Sequence, residues 1–295
     1  MNIRIGINPL TWTNDDLPSL GAETSLETCL REAREAGYTG IELGNKFPRV
    51  AAQLKPILQA HDLQLVSGWY SARLLERDVE AEWDAMSAHF ELLHALGCEV
   101  MVLAEVSRCT HGDQRAPLSQ RPHLTKGDWP RFGERMTKLA ERMRSAGLRL
   151  AYHHHMGTVV QSAADIDNLM QVTGDAVGLL LDTGHLTYAG GDPTQFAERY
   201  APRIVHVHCK DVRRLVLERA RNEDSSFLNA VLDGVFTVPG DGMVDYRSVL
   251  QPVARSGYGG WLVVEAEQDP AVATPIVYAK MGYRHLSQLA TELFV

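Results

Sequence analysis

The chain has 295 residues, 45% of them hydrophobic, enough to bury one large α/β core. Its formal net charge of −8 disfavours a general grip on nucleic acid or on an anionic membrane, because both demand a basic surface. The four cysteines (Cys29, Cys98, Cys109 and Cys209) show no CxxC spacing and suit free thiols in a reducing cytosol. With no signal-like core or apolar span near the N-terminus, the expectation is a cytoplasmic protein acting on a small polar molecule.

Ile3 to Asn8 reads as a strand that stops at Asn8-Pro9, and Trp12 with Thr13-Asn14-Asp15-Asp16 forms a long loop behind it. Thr24 or Ser25 caps a helix that runs through Arg34 and closes at Gly37. Gly40 to Gly44 is a second strand with Glu42 inside it, Val50 to His61 a helix, and Leu63 to Ser67 a third strand ending at Gly68-Trp69-Tyr70. A long helix spans Asp78 to Leu96. The fourth strand, Val100 to Ala104, runs into Glu105, and the polar stretch Ser107 to Lys126 is an extended loop. Trp129 to Ser145 is helical, and the fifth strand, Leu148 to His155, ends in three consecutive histidines. After a helix from Ser162 to Met170, the sixth strand (Val177 to Leu181) ends at Asp182-Thr183-Gly184-His185. A short helix near Gln195 to Tyr200 precedes the seventh strand, Ile204 to His208, which leads into Cys209-Lys210-Asp211. A mixed region through Phe236 ends in the turn Pro239 to Gly242. Tyr246 to Ser256 is helical, Trp261 to Glu265 is the eighth strand, and a helix from about Pro275 to Leu289 finishes the chain.

Eight strands alternating with helices imply parallel βαβ units. No linker or composition break divides them, so residues 1–295 read as a single (β/α)8 TIM barrel domain. An open doubly wound sheet is the weaker alternative, because no strand is followed by a glycine-rich nucleotide fingerprint. In a barrel the C-terminal strand ends converge on one mouth, where function is built. The residues gathered there are Asn8, Glu42, Glu105, His153, His155, Asp182, His185, His206, His208, Lys210, Glu265 and Glu267. Strand alternation gives His153 and His155 one face and His154 the other. Asp182 follows Gly178-Leu-Leu-Leu, which would bury an uncompensated carboxylate, and such a charge needs a pair or a metal. An imidazole after strand five (His153 or His155), Asp182, His208 and Glu265 form a mixture suited to a divalent cation such as Mn2+, Co2+ or Zn2+. There is no GxSxG, Walker-type loop or HExxH pair, and Gly240-Asp241-Gly242 reads as a turn.

Gly178-Leu-Leu-Leu-Asp182-Thr-Gly-His185, Arg203-Ile-Val-His-Val-His208-Cys-Lys-Asp211 and Gly260-Trp-Leu-Val-Val-Glu265 resemble the xylose-isomerase-like barrel superfamily. Four further segments are similar to the myo-inosose-2 dehydratases within it: Gly6 to Asp16, Glu42 to Pro48, Tyr152 to Thr158 and Glu265 to Pro270. The resemblance covers nearly the whole chain. It implies metal-dependent dehydration of 2-keto-myo-inositol (scyllo-inosose) to a trihydroxycyclohexane-1,2-dione in inositol catabolism, a hydro-lyase reaction. It places Asp182, His208 and Glu265 at three metal positions and His153 at the fourth, where sugar epimerases of the superfamily carry a glutamate. Two carboxylates with a divalent ion give a formally neutral site rather than an anionic one, which polarises a ketone more strongly. Mn2+ or Co2+ is the implied metal, and glutathione is an expectation from the resemblance alone. Glu265 or a histidine of the triplet, His155 included, is expected as base and His185 as acid. Asn8, Glu42, Lys46, Lys210 and Arg213 are expected to hydrogen-bond the substrate's ring hydroxyls. His154 is expected as a hydrogen-bonded support. Two other readings are a keto-sugar isomerase or epimerase on the same fold, which calls for paired carboxylates, and a nuclease of the endonuclease IV type, which calls for a basic groove. The partner is a small polyol ketone, with no nucleic acid and no membrane; a homo-oligomer is compatible with the sequence.

Overall fold

The computed structural model describes residues 3–294. Eight parallel strands close on themselves: β1 (Arg4–Ile7), β2 (Gly40–Leu43), β3 (Gln64–Ala72), β4 (Val100–Glu105), β5 (Arg149–His153), β6 (Val177–Asp182), β7 (Ile204–Cys209) and the last barrel strand. A small antiparallel pair, β8 (Asp211–Val212) with β9 (Phe236–Thr237), comes before that strand, β10 (Trp261–Val264). Closure is made by β1, which pairs with both β2 and β10. The strands are apolar runs because helices cover their outer faces and side chains fill the inside.

Local chemistry explains the helices. In Asp128–Ser145 the buried residues Phe132, Met136, Leu139, Ala140 and Met143 fall on one stripe of the 3.6-residue period. Ser25 Oγ accepts from the Thr28 N–H and Ser162 forms a capping box with Asp165. Gly37 stops the first helix at φ 110°, a left-handed conformation open to glycine.

The barrel interior is layered. Trp261 packs with Val66 and Val263 at the N-terminal end, and at Gly40 a Cβ would lie 2.6 Å from the Trp261 ring. Val100, Val102, Ala151 and Leu180 fill the middle. Polar groups crowd the C-terminal end, and register sets their neighbours, pairing Asp182 with His208 and Val263 with His208.

The structure departs from the sequence reading in four places. Strand β3 does not stop at Ser67: Trp69 and Tyr70 pair with Val102 and Leu103, so Gly68 is passed within the strand. Strand β5 stops at His153, since the His155 N–H turns to the Val160 carbonyl; His155 reaches the mouth from a loop, not by strand alternation. A helix, Thr183–Tyr188, begins directly after Asp182. The mixed region contains helices Arg214–Asn222 and Phe227–Leu232. No helix among the described residues is long and apolar enough to cross a membrane, and all four cysteines are free.

Candidate metal centre and active site

Strands β5, β6, β7 and β10 bring four donors together. His153, Asp182, His208 and Glu265 each offer a ligand atom within 4.8 Å of the others, and all four residues are buried. Asp182 Oδ2 lies 3.4 Å from His153 Nε2 and 3.6 Å from His208 Nδ1, and His208 Nδ1 lies 2.8 Å from Glu265 Oε2. Tetrahedral ligands at about 2.1 Å from a common ion stand roughly 3.4 Å apart. Asp182 Oδ2 and His208 Nδ1 are buried and have no hydrogen-bond partner, which a protein interior rarely tolerates. Orphaned atoms converging at these spacings fit a divalent cation, and N/O donors suit Mn2+, Co2+ or Zn2+.

Each donor is held from behind. Asp182 caps the helix that follows it, its Oδ1 accepting from the His185 N–H at 2.7 Å, so Oδ2 is left for the centre. Its own N–H reaches His154 Nε2 at 3.4 Å, the supporting role expected of His154. Glu42 takes His206 Nε2 at 2.8 Å and His208 Nε2 at 3.1 Å, and also accepts from Asn8 Nδ2 at 2.7 Å. Asn8 Nδ2 bridges onward to Glu265 Oε2 at 3.0 Å. Glu42 and Asn8 therefore orient the donors, as carboxylates behind metal-binding histidines do, although both also line the cavity.

Lys210 is fully enclosed. Its ammonium lies 2.5 Å from Glu265 Oε1, 2.7 Å from Glu267 Oε2 and 2.9 Å from His185 Nε2. Three donors thus meet three acceptors, and the Met156 N–H approaches the other ring nitrogen of His185, Nδ1, at 3.4 Å. Gly184 makes room for the lysine stem, since a Cβ there would lie 2.5 Å from Lys210 Cγ.

The electrostatics follow from burial and these partners. Burial opposes a charge on His208, yet Glu265 and Glu42 hold its pKa well above the usual range. Burial likewise opposes the Asp182 charge, but Lys210 keeps that carboxyl well below its ordinary value. Burial depresses His153, His155 and His185, so these rings are neutral. Burial pushes Glu267 up to about 7, against the pull of Lys210.

Above the donors lies a narrow cavity of about 70 Å3. Asp15, Asp16, Trp69, His155 and Glu267 line it together with the donors His153, His208 and Glu265. The Trp69 ring packs edge-on to His153 and His155. His155 Nδ1 sits 2.8 Å from the Met156 carbonyl, so Nδ1 carries the proton and Nε2 is left as an acceptor. A larger cavity of about 470 Å3, lined by Arg4, Gln64 and Trp261, opens at the opposite end of the barrel, away from these groups.

Three expected substrate contacts are placed elsewhere. Lys46 Nζ is spent on the Ala22 carbonyl. Arg213 ties the Gly234 and Phe236 carbonyls to Asp241. Lys210 sits behind Glu265 and Glu267 rather than on the cavity wall. His185, expected as the acid, is also enclosed; its ring lies 3.9 Å from that of His155 and supports it. Glu105 accepts from the Leu74 and Ser107 N–H groups, and Gly240-Asp241-Gly242 is a turn folded around the Asp211 carboxylate. The sequence places Asp15 and Asp16 in a loop and Trp69 at a strand end, and assigns no role to these three or to Glu267. Only the polar run behind strand one, and the Glu-x-Glu spacing at Glu265, hinted at them.

Two other clusters of potential ligands need no ion. Glu42, His206 and His208 satisfy one another, and in the third cluster His185 and Glu267 both meet the Lys210 ammonium.

Residues 30–289 match the family model described as xylose isomerase-like TIM barrel. The chain is 54% identical over 290 residues to the rhizopine catabolism protein MocC of Rhizobium meliloti, covering 98% of this chain and 89% of that protein. It is 43% identical over 288 residues to an inosose dehydratase of Lacticaseibacillus casei, covering 97% of both. Among solved structures, the IOLI protein with a bound zinc atom superposes with a TM-score of 0.67 at 16% identity, covering 99% of this chain and 98% of that one; this likeness concerns the fold.

Proposed function

The chain belongs to the xylose isomerase-like TIM barrel family, and from that premise we propose that it is an inosose dehydratase. In this reading it is a metal-dependent hydro-lyase that converts 2-keto-myo-inositol to a trihydroxycyclohexane-1,2-dione in inositol catabolism. The observation that carries the reading is the convergence of His153, Asp182, His208 and Glu265 around orphaned buried atoms, in a chain that aligns over nearly its full length with proteins named inosose dehydratase.

A divalent cation held by these donors supplies Lewis acidity to a ketone oxygen. Mn2+ or Co2+ is the proposed ion. Glu265 divides its carboxylate between Lys210 on Oε1 and the donor cluster on Oε2, so proton transfer falls to the cavity groups that keep a free atom. The neutral His155 presents Nε2, and Glu267 keeps Oε1 free of partners while Lys210 holds Oε2. His155 takes the proton from the carbon beside the ketone, and Glu267, protonated near neutrality, gives its proton to the hydroxide leaving the next carbon. The enol so formed becomes the dione as a proton returns to carbon from His155 and the enol proton passes to Glu267, which resets both groups. Trp69 gives the ring an apolar wall.

The test is incubation of Mn2+-loaded protein with scyllo-inosose. Loss of the ketone with appearance of dione absorbance is expected, and an isomerised sugar without dione sinks the reading in favour of an isomerase. A second reading has support in the 54% identity to a protein named for rhizopine catabolism: the same elimination on a ring ketone of that route. No turnover of scyllo-inosose with turnover of a ketone made from rhizopine would favour it.

A further inference from the structure

The cavity has no lysine or arginine on its wall: its carboxylates are Asp15, Asp16, Glu42, Glu265 and Glu267, and its only other titratable groups are the donors' and neighbouring imidazoles His153, His155 and His208. Asp15 and Asp16, both on the loop behind β1, line the same cavity as the donor cluster. That loop is built to hold them. Asn14 Oδ1 accepts from the N–H groups of Asp16 at 2.9 Å and Leu17 at 2.7 Å, an Asx turn. Asn45 clamps it from β2's end, its backbone N–H donating to Asp15 Oδ1 and its side-chain amide to the Asn14 carbonyl, each at 3.3 Å. Among the described residues neither aspartate has a lysine or arginine within ion-pair distance; His111 Nε2 lies 3.7 Å from Asp16 Oδ1, and Arg49 acts on Asp15 from further away. Two carboxylates are thus prepositioned with acceptor capacity to spare.

An ionised carboxylate only accepts hydrogen bonds. A ring bearing neutral hydroxyls offers it donors. A phosphate or carboxylate on the ring brings more acceptors and like charge against Asp15 and Asp16, an unfavourable juxtaposition. We propose that Asp15 and Asp16 are specificity-determining residues. They accept hydrogen bonds from hydroxyls of the ring, and they reject phosphorylated and carboxylated rings. This rests on the dehydratase reading of the same cavity and adds its substrate class: uncharged polyhydroxylated rings.

The experiment compares wild type, Asp15→Ala, Asp16→Ala and the double variant Asp15→Asn with Asp16→Asn, all Mn2+-loaded. Each alanine is expected to raise KM for scyllo-inosose roughly ten- to a hundredfold, the loss of one charge-assisted hydrogen bond, while kcat changes by less than about threefold. Calorimetric titration with scyllo-inositol and with its monophosphate reads discrimination without turnover. Wild type should prefer the neutral polyol by roughly a hundredfold or more, and the double asparagine variant should narrow that preference by about tenfold. Unchanged KM in both alanine variants overturns the proposal. So does equal wild-type affinity for the polyol and its monophosphate. Absence of dione product with wild type refutes the dehydratase reading instead, and the calorimetric comparison then decides the specificity claim by itself.

Discussion

Glu42→Gln is the perturbation that most directly tests how the donors are held. The Glu42 carboxylate receives three donors: His206 Nε2 at 2.8 Å, His208 Nε2 at 3.1 Å and Asn8 Nδ2 at 2.7 Å. Glutamine keeps one acceptor oxygen and turns an NH2 toward at least one of those donors. The charge that fixes the His208 proton on Nε2, and so leaves Nδ1 for the centre, is lost with it. Removing such a carboxylate from behind a ligating histidine costs about 10- to 100-fold in metal affinity, or about 1.4–2.8 kcal/mol. Competition for Co2+ or Zn2+ against a chromophoric chelator measures this, with kcat at saturating metal and thermal unfolding alongside. The expected result is affinity weaker by that factor, activity largely restored by excess metal, and a stability loss of about 1–3 kcal/mol from the mismatched buried donor. Affinity within about threefold of wild type would refute the orientation argument.

Asp182→Asn keeps an oxygen to cap the Thr183–Tyr188 helix, so bound metal should vanish from elemental analysis while the unfolding temperature stays near wild type; retained metal would show that the centre is misplaced. Lys210→Met leaves Glu265 and Glu267 buried without their cation and should destabilise by about 3–5 kcal/mol in denaturant titration. Because burial raises Glu267 above its unfolded value, its ionised form opposes folding, so this deficit should shrink as pH falls through about 7; a pH-independent deficit would count against the pairing. Metal binding should release a proton near pH 7, since His208 is held protonated by Glu265 and Glu42 and must free Nδ1; affinity then rises with pH, and equal calorimetric enthalpies in buffers of different ionisation heat would exclude the release.

The barrel was legible because its signals are local and repeated: apolar strands of four to six residues, amphipathic helices and caps such as Ser25 and Ser162. The convergence of His153, Asp182, His208 and Glu265 was legible for a related reason. Each ends or follows a strand, and closure of the barrel brings consecutive strands β5 to β7 and then β10 side by side. Lys210 and Arg213 were misplaced because sequence position says nothing of what a long side chain reaches. Lys210 follows strand β7 as a mouth residue would, yet three buried acceptors draw it behind the wall. Trp69 was assigned past the end of a strand because Gly68 reads as punctuation. In the closed barrel β4 supplies the pairing that carries β3 through it. The Asp15–Asp16 wall depends on Asn14 and Asn45, 31 residues apart, and no periodicity reports such a clamp.

The triplet His153-His154-His155 divides its work in a way that alternation alone does not predict. His153 ends β5 beside Asp182, His154 accepts from the Asp182 backbone, and His155 leaves the sheet and faces the cavity with its proton turned to Met156. The first two belong to the candidate donor cluster, and the third is the one to which the proposed mechanism gives proton transfer. This division matters for charge. With histidine at the first donor position, Asp182 and Glu265 alone balance a divalent ion, while the adjacent Lys210 takes up part of the Glu265 charge and steadies Glu267. A third carboxylate among the donors would quench the Lewis acidity that a ketone needs. It would also place two carboxylates on opposite sides of the substrate, an arrangement suited to moving a proton from face to face. In the proposed mechanism a neutral imidazole in that place leaves deprotonation to His155 and leaving-group protonation to Glu267, a division that suits elimination better than epimerisation.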